Sequence, residues 1–159
     1  MEEWKVVNDF ENYEISNMGN VRNIAKHTLL KPHKRKDNYF TVKLCRKDFS
    51  KTSPIHRLVA LHFVENANPD KYNIIDHIDR NSQNNHATNL RWCNRSQNCQ
   101  NWLGRNEGIT KRAGNVWEVS LKFENTSMYL GRYNDEEKAK QIYRSVKDVL
   151  GSEFSPYKS

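Results

Sequence analysis

Cysteine is scarce in this 159-residue sequence, long apolar runs are missing, and each shortage removes a class of protein. The three cysteines, Cys45, Cys93 and Cys99, are an odd number at no metal-ligand spacing and form no paired CxxC motifs. A disulfide scaffold and a zinc site are therefore not expected, and the chain reads as reduced and intracellular, with the cytoplasm as its expected location. No stretch approaches the roughly 18 apolar residues of a membrane span. The opening MEEWKVVNDF has acids and no apolar core of the signal-peptide kind. Hydrophobic residues make up only 36% of the chain, with a mean hydropathy of −0.98. That is too little for one large core, so several small modules with thin cores are expected.

Positive charge is what the chain has in excess. It carries 26 Lys and Arg against 19 Asp and Glu, with a pI near 9.3. The excess is spread along the chain: 10 bases against 7 acids in residues 1–50, 6 against 4 in 51–103, and 10 against 8 in 104–159. No basic tail has been added to a neutral body. An anionic partner is implied, and nucleic acid is the commonest. No aromatic RNP-like stretch supports an RNA reading.

Residues 1–30 place aromatic and β-branched anchors on either side of the turn signal Ser16-Asn17-Met18-Gly19-Asn20. KPHKRK at 31–36 is a cationic run, read equally as a solvated loop or as a phosphate contact through Lys34, Arg35 and Lys36. YFTVKLC at 39–45 alternates as a half-buried strand, and a second strand runs into Pro54. IHRLVALHFV reads as a short amphipathic helix, with Ile55, Leu58, Val59, Leu61, His62 and Phe63 recurring at helical spacing. Tyr72–Ile75 makes a strand ending at Asp76-His77, and Asn94 or Ser96 can cap a short helix carrying Asn98 and Asn101. GITKR, VWEVSLKF and SMYLGRY then read as three strands. Their turns are Ala113-Gly114-Asn115 and Glu124-Asn125-Thr126. A helix with acids in its first turn follows from Asp135, and Gly151 is expected just past its end.

The chemistry concentrates in IIDHIDR, residues 74–80, where a carboxylate stands beside an imidazole at a strand end. Asn89 follows the histidine by twelve residues and Asn98 by twenty-one. A strand, a polar loop and a short helix can fold that order into a ββα hairpin with His77 facing Asn98. Asp76 and Asn98 offer oxygen ligands suited to a hard cation such as Mg²⁺ or Mn²⁺. His77 can take a proton from water, and Asn89 can hold the loop that aims it. Base, cation and anionic polymer together point to phosphodiester hydrolysis.

HRLVALHF followed by IIDHIDRNSQNNHATNLRWCNRSQN resembles the HNH motif of phage and intron-encoded homing endonucleases, over about residues 55–101. The third motif residue is Asn98, where many relatives have His. The resemblance implies His77 as general base with Asn89 as the loop-fixing member of the catalytic set, Asp76 and Asn98 as metal ligands, and double-stranded DNA as substrate. Residues 4–23 are similar to the NUMOD4-like module that precedes such domains. GITKRAGNVWEVSLKF…MYLGRYNDEEKAKQIY resembles the AP2 DNA-binding domain. Lys111, Arg112, Lys122 and Arg132 stand at its DNA-reading positions, and Trp117 and Tyr129 match as well.

The expected architecture is therefore α+β. A NUMOD4-like β-rich module occupies 1–50, an HNH ββα-metal core 51–103, and an AP2-like three-stranded sheet with one helix 104–159. Strand alternation assigns Trp117, Val119, Leu121 and Phe123 to the core face and Glu118, Ser120 and Lys122 to the other. His56 and His62 are expected in satisfied structural roles, His86 near the site, Trp92 in the core, and Asp79 in a surface pair with Arg80 or Arg91. No apolar heptad argues for a dimer, so a monomer is expected, inside a bacterial or phage-infected cell. The rival reading is a DNA-binding regulator that keeps the HNH segment as a scaffold without cleaving.

Overall fold

Turn chemistry sets the strands of the N-terminal half. A computed structural model of the chain describes residues 1–101, 108–123, 126–151 and 154–155. The fold is mixed α/β and rich in sheet, in two compact units, Met1–Asn94 and Arg95–Ser159.

In the first unit, β1 (Trp4–Val7), β2 (Phe10–Ser16), β3 (Val21–Asn23) and β4 (Thr28–Leu29) form an antiparallel meander. The Ser16–Asn20 turn joins β2 to β3. The Ser16 hydroxyl accepts from the backbone N–H of Met18 and of Asn20, and Gly19 takes φ +87°. β5 (His33–Lys34), β6 (Phe40–Arg46) and β7 (Phe49–Pro54) form a second sheet. Pro54, with φ −64°, ends β7 and starts α1 (Ile55–Phe63), because its ring already holds the torsion a helix needs. Ile55, Leu58 and Val59 turn one face of α1 inward. Leu61, expected on that face, is 54% exposed, since six residues carry it about 120° round the helix from Ile55. β8 (Ile74–His77) and β9 (Leu90–Cys93) make an antiparallel hairpin, entered through a 3₁₀ turn at Ala87–Asn89.

One apolar cluster joins these pieces, running from Val7 and Ile15 through Leu44 and Val59 to Leu90. The core therefore continues across residue 50, where the sequence suggested a boundary. Each strand layer is too poor in apolar residues to close alone, and α1 is the surface they share. Trp92 packs against this core, and its indole N–H donates to the Val64 carbonyl at 3.1 Å.

The second unit holds α2 (Arg95–Gln100), then β10 (Ile109–Arg112), β11 (Val116–Phe123) and β12 (Thr126–Tyr133) in an antiparallel sheet, then α3 (Glu136–Gly151). Gly114 and Asn115 take positive φ in the β10–β11 turn. The expected turn at 124–126 and the expected boundary at 103/104 lie at least partly outside the described residues. Asp135 caps α3, its carboxylate accepting from the Lys138 N–H at 2.6 Å. Gly151 does not end the helix in a left-handed turn as expected. It stays helical because its role is close approach: a Cβ there would lie 3.2 Å from that of Ser155. Val119 and Leu121 pack on Ala139 and Tyr143, the face that alternation assigned. Among the described residues no helix is long and apolar enough to cross a membrane.

Candidate active site around His77

β8 ends at His77 because the chain reverses there. The Arg80 N–H donates to the His77 carbonyl at 2.8 Å, and Arg80 takes φ +64°. The Ile78 N–H donates to the Asn89 carbonyl at 2.9 Å, which ties the far end of the polar loop to the strand end. Asp76 and His77, 6% and 5% exposed, are both buried, so each needs a partner.

For His77 that partner is Asn85, a buried residue that sequence reasoning passed over. His77 Nε2 lies 3.2 Å from Asn85 Oδ1. The Asn85 amide nitrogen donates to the Gln83 carbonyl, which fixes the amide's orientation and leaves its oxygen facing the imidazole. An amide oxygen only accepts, so Nε2 carries the proton and Nδ1 the lone pair. Burial pushes the His77 pKa below its ordinary value, against the raising effects of Asn85, Asp79 and Asp76. A neutral imidazole of defined tautomer is what a general base must be before reaction. The available signal was the second asparagine of Asn84-Asn85, inside the motif frame already quoted.

Asp76 is held by Arg91, directly opposite on β9, whose Nε and Nη2 reach Oδ2 at 2.9 and 2.7 Å. Asp79 does not make the expected ion pair, since Arg91 is taken by Asp76. Its carboxylate accepts instead from the Asn81 N–H at 2.8 Å, the Asn84 amide at 2.8 Å and the Asn89 amide at 2.9 Å. Burial alone would raise the Asp79 pKa, but those hydrogen bonds outweigh it and lower it. Asn89 also donates to the Asn84 carbonyl and accepts from the Asp79 N–H at 3.0 Å. The loop is thus knotted by amides, which is why so polar a stretch has one shape.

The N-terminal strands press on this loop from outside. Ala87 N–H donates to the Asn17 carbonyl at 2.7 Å, and a Cβ on Gly19 would stand 2.9 Å from that of Asn85. Glycine at position 19 therefore serves both its left-handed torsion and the seating of Asn85. The β5–β6 hairpin approaches on another side. Tyr39 and His56 lie with ring centroids 5.9 and 5.4 Å from that of His77. His56 departs from the satisfied role expected of it, because its Nδ1 is buried without a hydrogen bond. Burial, then His77 and Arg57, lower its pKa to about 4.

The remaining candidates sit on other elements. Asn98 is half-buried on α2, in the second unit. His62 is structural: Nδ1 donates to the Leu58 carbonyl at 2.7 Å and Nε2 accepts from the Asn8 N–H at 3.3 Å. His86 caps the 3₁₀ turn, accepting from the Thr88 N–H. Lys34, Arg35 and Lys36 are exposed on the hairpin ahead of Tyr39, with Arg35 paired to Asp37 at 2.9 Å. On the second unit's sheet, Arg112 and Arg132 flank Glu118 at 3.0 and 3.2 Å, and alternation puts Lys122 on the same face. Lys111 does not join them. It sits opposite Trp117 in the register, with its ammonium 5.3 Å from that ring centre. Among the described residues no three His, Cys, Asp or Glu gather as a metal cluster. Oxygen donors from Asp76 and an asparagine amide suit a hard cation that keeps waters and phosphate oxygens in its shell.

Residues 2–45 match the NUMOD4 motif. The chain is 43% identical over 95 residues, and 40% over 123, to two uncharacterized HNH endonucleases of Acanthamoeba polyphaga mimivirus. Those alignments take in 60% and 75% of this chain but only 28% and 30% of the relatives, so it spans under a third of their length. It is 38% identical over 118 residues to the DNA endonuclease I-HmuI of Bacillus phage SP01, covering 74% of this chain and 67% of that protein. A solved structure of the HNH homing endonuclease I-HmuI, described as showing DNA binding and cleavage, matches with a TM-score of 0.59. The identity there is 28%, with 95% of this chain and 91% of the other covered.

Proposed function

The chain belongs to the HNH homing endonucleases, and on that premise we propose that it hydrolyses phosphodiester bonds of double-stranded DNA at a recognised site, with His77 as general base. The observation that carries this reading is the buried His77–Asn85 pair, which leaves the imidazole neutral with its lone pair on Nδ1. His77 Nδ1 takes a proton from the attacking water, and Asn85 holds the ring as the imidazolium forms. Asn89 keeps the loop closed behind it through its bonds to Asp79 and Asn84.

Asp76 and Asn98 would hold a divalent cation, Mg²⁺ or Mn²⁺, with Arg91 orienting the Asp76 carboxylate. When bound, such a cation supplies charge stabilisation at the scissile phosphate and the leaving 3′ oxygen. The products are then 5′-phosphate and 3′-hydroxyl ends. One such site in a monomer gives a nick, and a dimer is needed to cut both strands together.

Recognition is proposed to come from both flanks. Lys34, Arg35 and Lys36 contact phosphates from the NUMOD4-like module (1–50), ahead of the HNH core (51–103). Arg112, Lys122 and Arg132 read DNA from the outer face of the AP2-like sheet (104–159), with Lys111 at its edge. The test is cleavage of a plasmid bearing a site that the wild-type chain selects from a random library. Mg²⁺-dependent product whose ends reseal with DNA ligase without prior phosphorylation is expected. Binding without cleavage under Mg²⁺ and Mn²⁺ would leave a DNA-binding regulator instead.

A further inference from the structure

His56 has no part in the proposed chemistry, yet its ring lies against the ring of the base. Three rings meet there. His56 stands edge-on to His77 at 5.4 Å with planes 68° apart, Tyr39 covers His56 at 4.9 Å, and Tyr39 reaches His77 at 5.9 Å. All three separations lie in the range where aromatic rings attract in tilted or edge-on geometry.

The Asn85 bond holds Nε2 of the His77 ring, and the last torsion of a histidine is broad. Packing against the ring adds a constraint on its plane. His56 and Tyr39 supply it from outside the β8–β9 hairpin, His56 from the first turn of α1 and Tyr39 from the residue before β6. The hairpin that carries Tyr39 is itself tied to the loop, where the Ser82 hydroxyl donates to the Asn38 carbonyl at 3.4 Å.

We propose that His56 and Tyr39 form a two-ring wall that sets the plane of the His77 imidazole, making both of them positioning residues for the cleavage reaction. The inference rests on the reading of His77 as base. The shape of the wall matters, and Nδ1 of His56 does not, being buried with no hydrogen-bond partner. Phenylalanine at position 56 would fill the same space. Because Tyr39 stands three residues after the basic run Lys34–Lys36, the wall also links the segment proposed to grip the phosphate backbone to the aim of the base.

The experiment compares full-length His56→Ala, His56→Phe, Tyr39→Ala, Tyr39→Phe and His77→Ala with wild type. Each is tested on supercoiled plasmid bearing the selected site with Mg²⁺, and imidazole ¹⁵N resonances are recorded without metal. His56→Ala and Tyr39→Ala should each lower kcat about 10- to 100-fold with KM changed less than about twofold, since misplacing a reacting group by an ångström costs about that much. His56→Phe and Tyr39→Phe should stay within about threefold of wild type. In the alanine variants the His77 nitrogens should move toward the averaged shifts of a ring exchanging between tautomers, and in the phenylalanine variants they should not. If either alanine variant folds and keeps wild-type kcat, or if His56→Phe falls as far as His56→Ala, the wall is refuted. Should one alanine variant fail to fold, the other and the phenylalanine pair still decide. Full activity in His77→Ala would overturn the underlying reading, whereas an inactive His77→Ala beside an active His56→Ala overturns the wall alone.

Discussion

At the scale of single residues, the site is built on two buried polar groups, Asp76 and His77, held by Arg91 and by Asn85. Asn85→Ala removes the acceptor that fixes the His77 tautomer. It should cut kcat roughly 10- to 100-fold while DNA affinity holds, as loss of an outer partner does at other sites, and single-turnover cleavage with a binding assay separates the two. Arg91→Met takes the ion-pair partner away from the buried Asp76 carboxylate. It should cost about 3–5 kcal/mol in stability, measured by urea denaturation, whereas a surface pair would cost little. His56 gives a pH prediction. Its pKa is about 4 in the folded chain and near 6.5 when unfolded, so the unfolded state takes up more protons between those values. Its contribution is whole above pH 6.5 and is lost as pH falls toward 4, with an upper bound of about 3 kcal/mol reduced by the partial exposure of the ring. Of the groups near it, His77, Arg57 and Arg35 push the same way as burial, and Asp37 opposes them. In His56→Phe the fall in melting temperature over that pH range should shrink.

At the scale of elements, what positions His77 is the end of a strand clamped by loops from distant sequence. Gly19→Ala tests this most simply. The new Cβ would meet Asn85 at 2.9 Å on a backbone at φ +87°, so about 1–3 kcal/mol of stability should go, together with cleavage, although residue 19 lies far from the motif in sequence. The strands and helices themselves were legible: β8, α1, the three strands of the second unit and α3 follow from apolar periodicity and turn residues. So was the run from Asp76-His77 to Asn89, because the motif is local. The Asn85–His77 bond, the Gly19 seat and the three-ring contact were not, since each joins segments that only the tertiary fold brings together. Asp79 was misjudged for a related reason. A nearby arginine in sequence suggests an ion pair, but β8–β9 register gives Arg91 to Asp76 and leaves Asp79 to the asparagine amides.

At the scale of the molecule, positive charge is spread across both units, and affinity for DNA should depend on it additively. Replacing Lys34, Arg35 and Lys36 together by alanine should flatten the slope of log affinity against log salt by about 2 to 3, at roughly 0.9 for each phosphate no longer neutralised. Arg132→Ala should flatten it by about 1 and leave the melting temperature unchanged, since Arg132 and its partner Glu118 sit on an open sheet face. One core runs beneath the strand layers from Val7 to Leu90, under the NUMOD4-matching segment and the β8–β9 hairpin alike. A thin core per segment suggested separate bodies, but α1 lets two strand layers and the hairpin share one.

The role of His77 as base is tested most directly by cleavage of supercoiled plasmid carrying the selected site, using the wild type and His77→Ala, each with Mg²⁺ and with EDTA. Open-circular product is expected from the wild type with Mg²⁺ alone. His77→Ala should bind the same DNA with unchanged affinity and cut it about 10²- to 10⁴-fold more slowly, the range a general base contributes. Equal cleavage by the two proteins, or a wild type that binds its site and never cuts, would show that His77 is not the base of a nuclease.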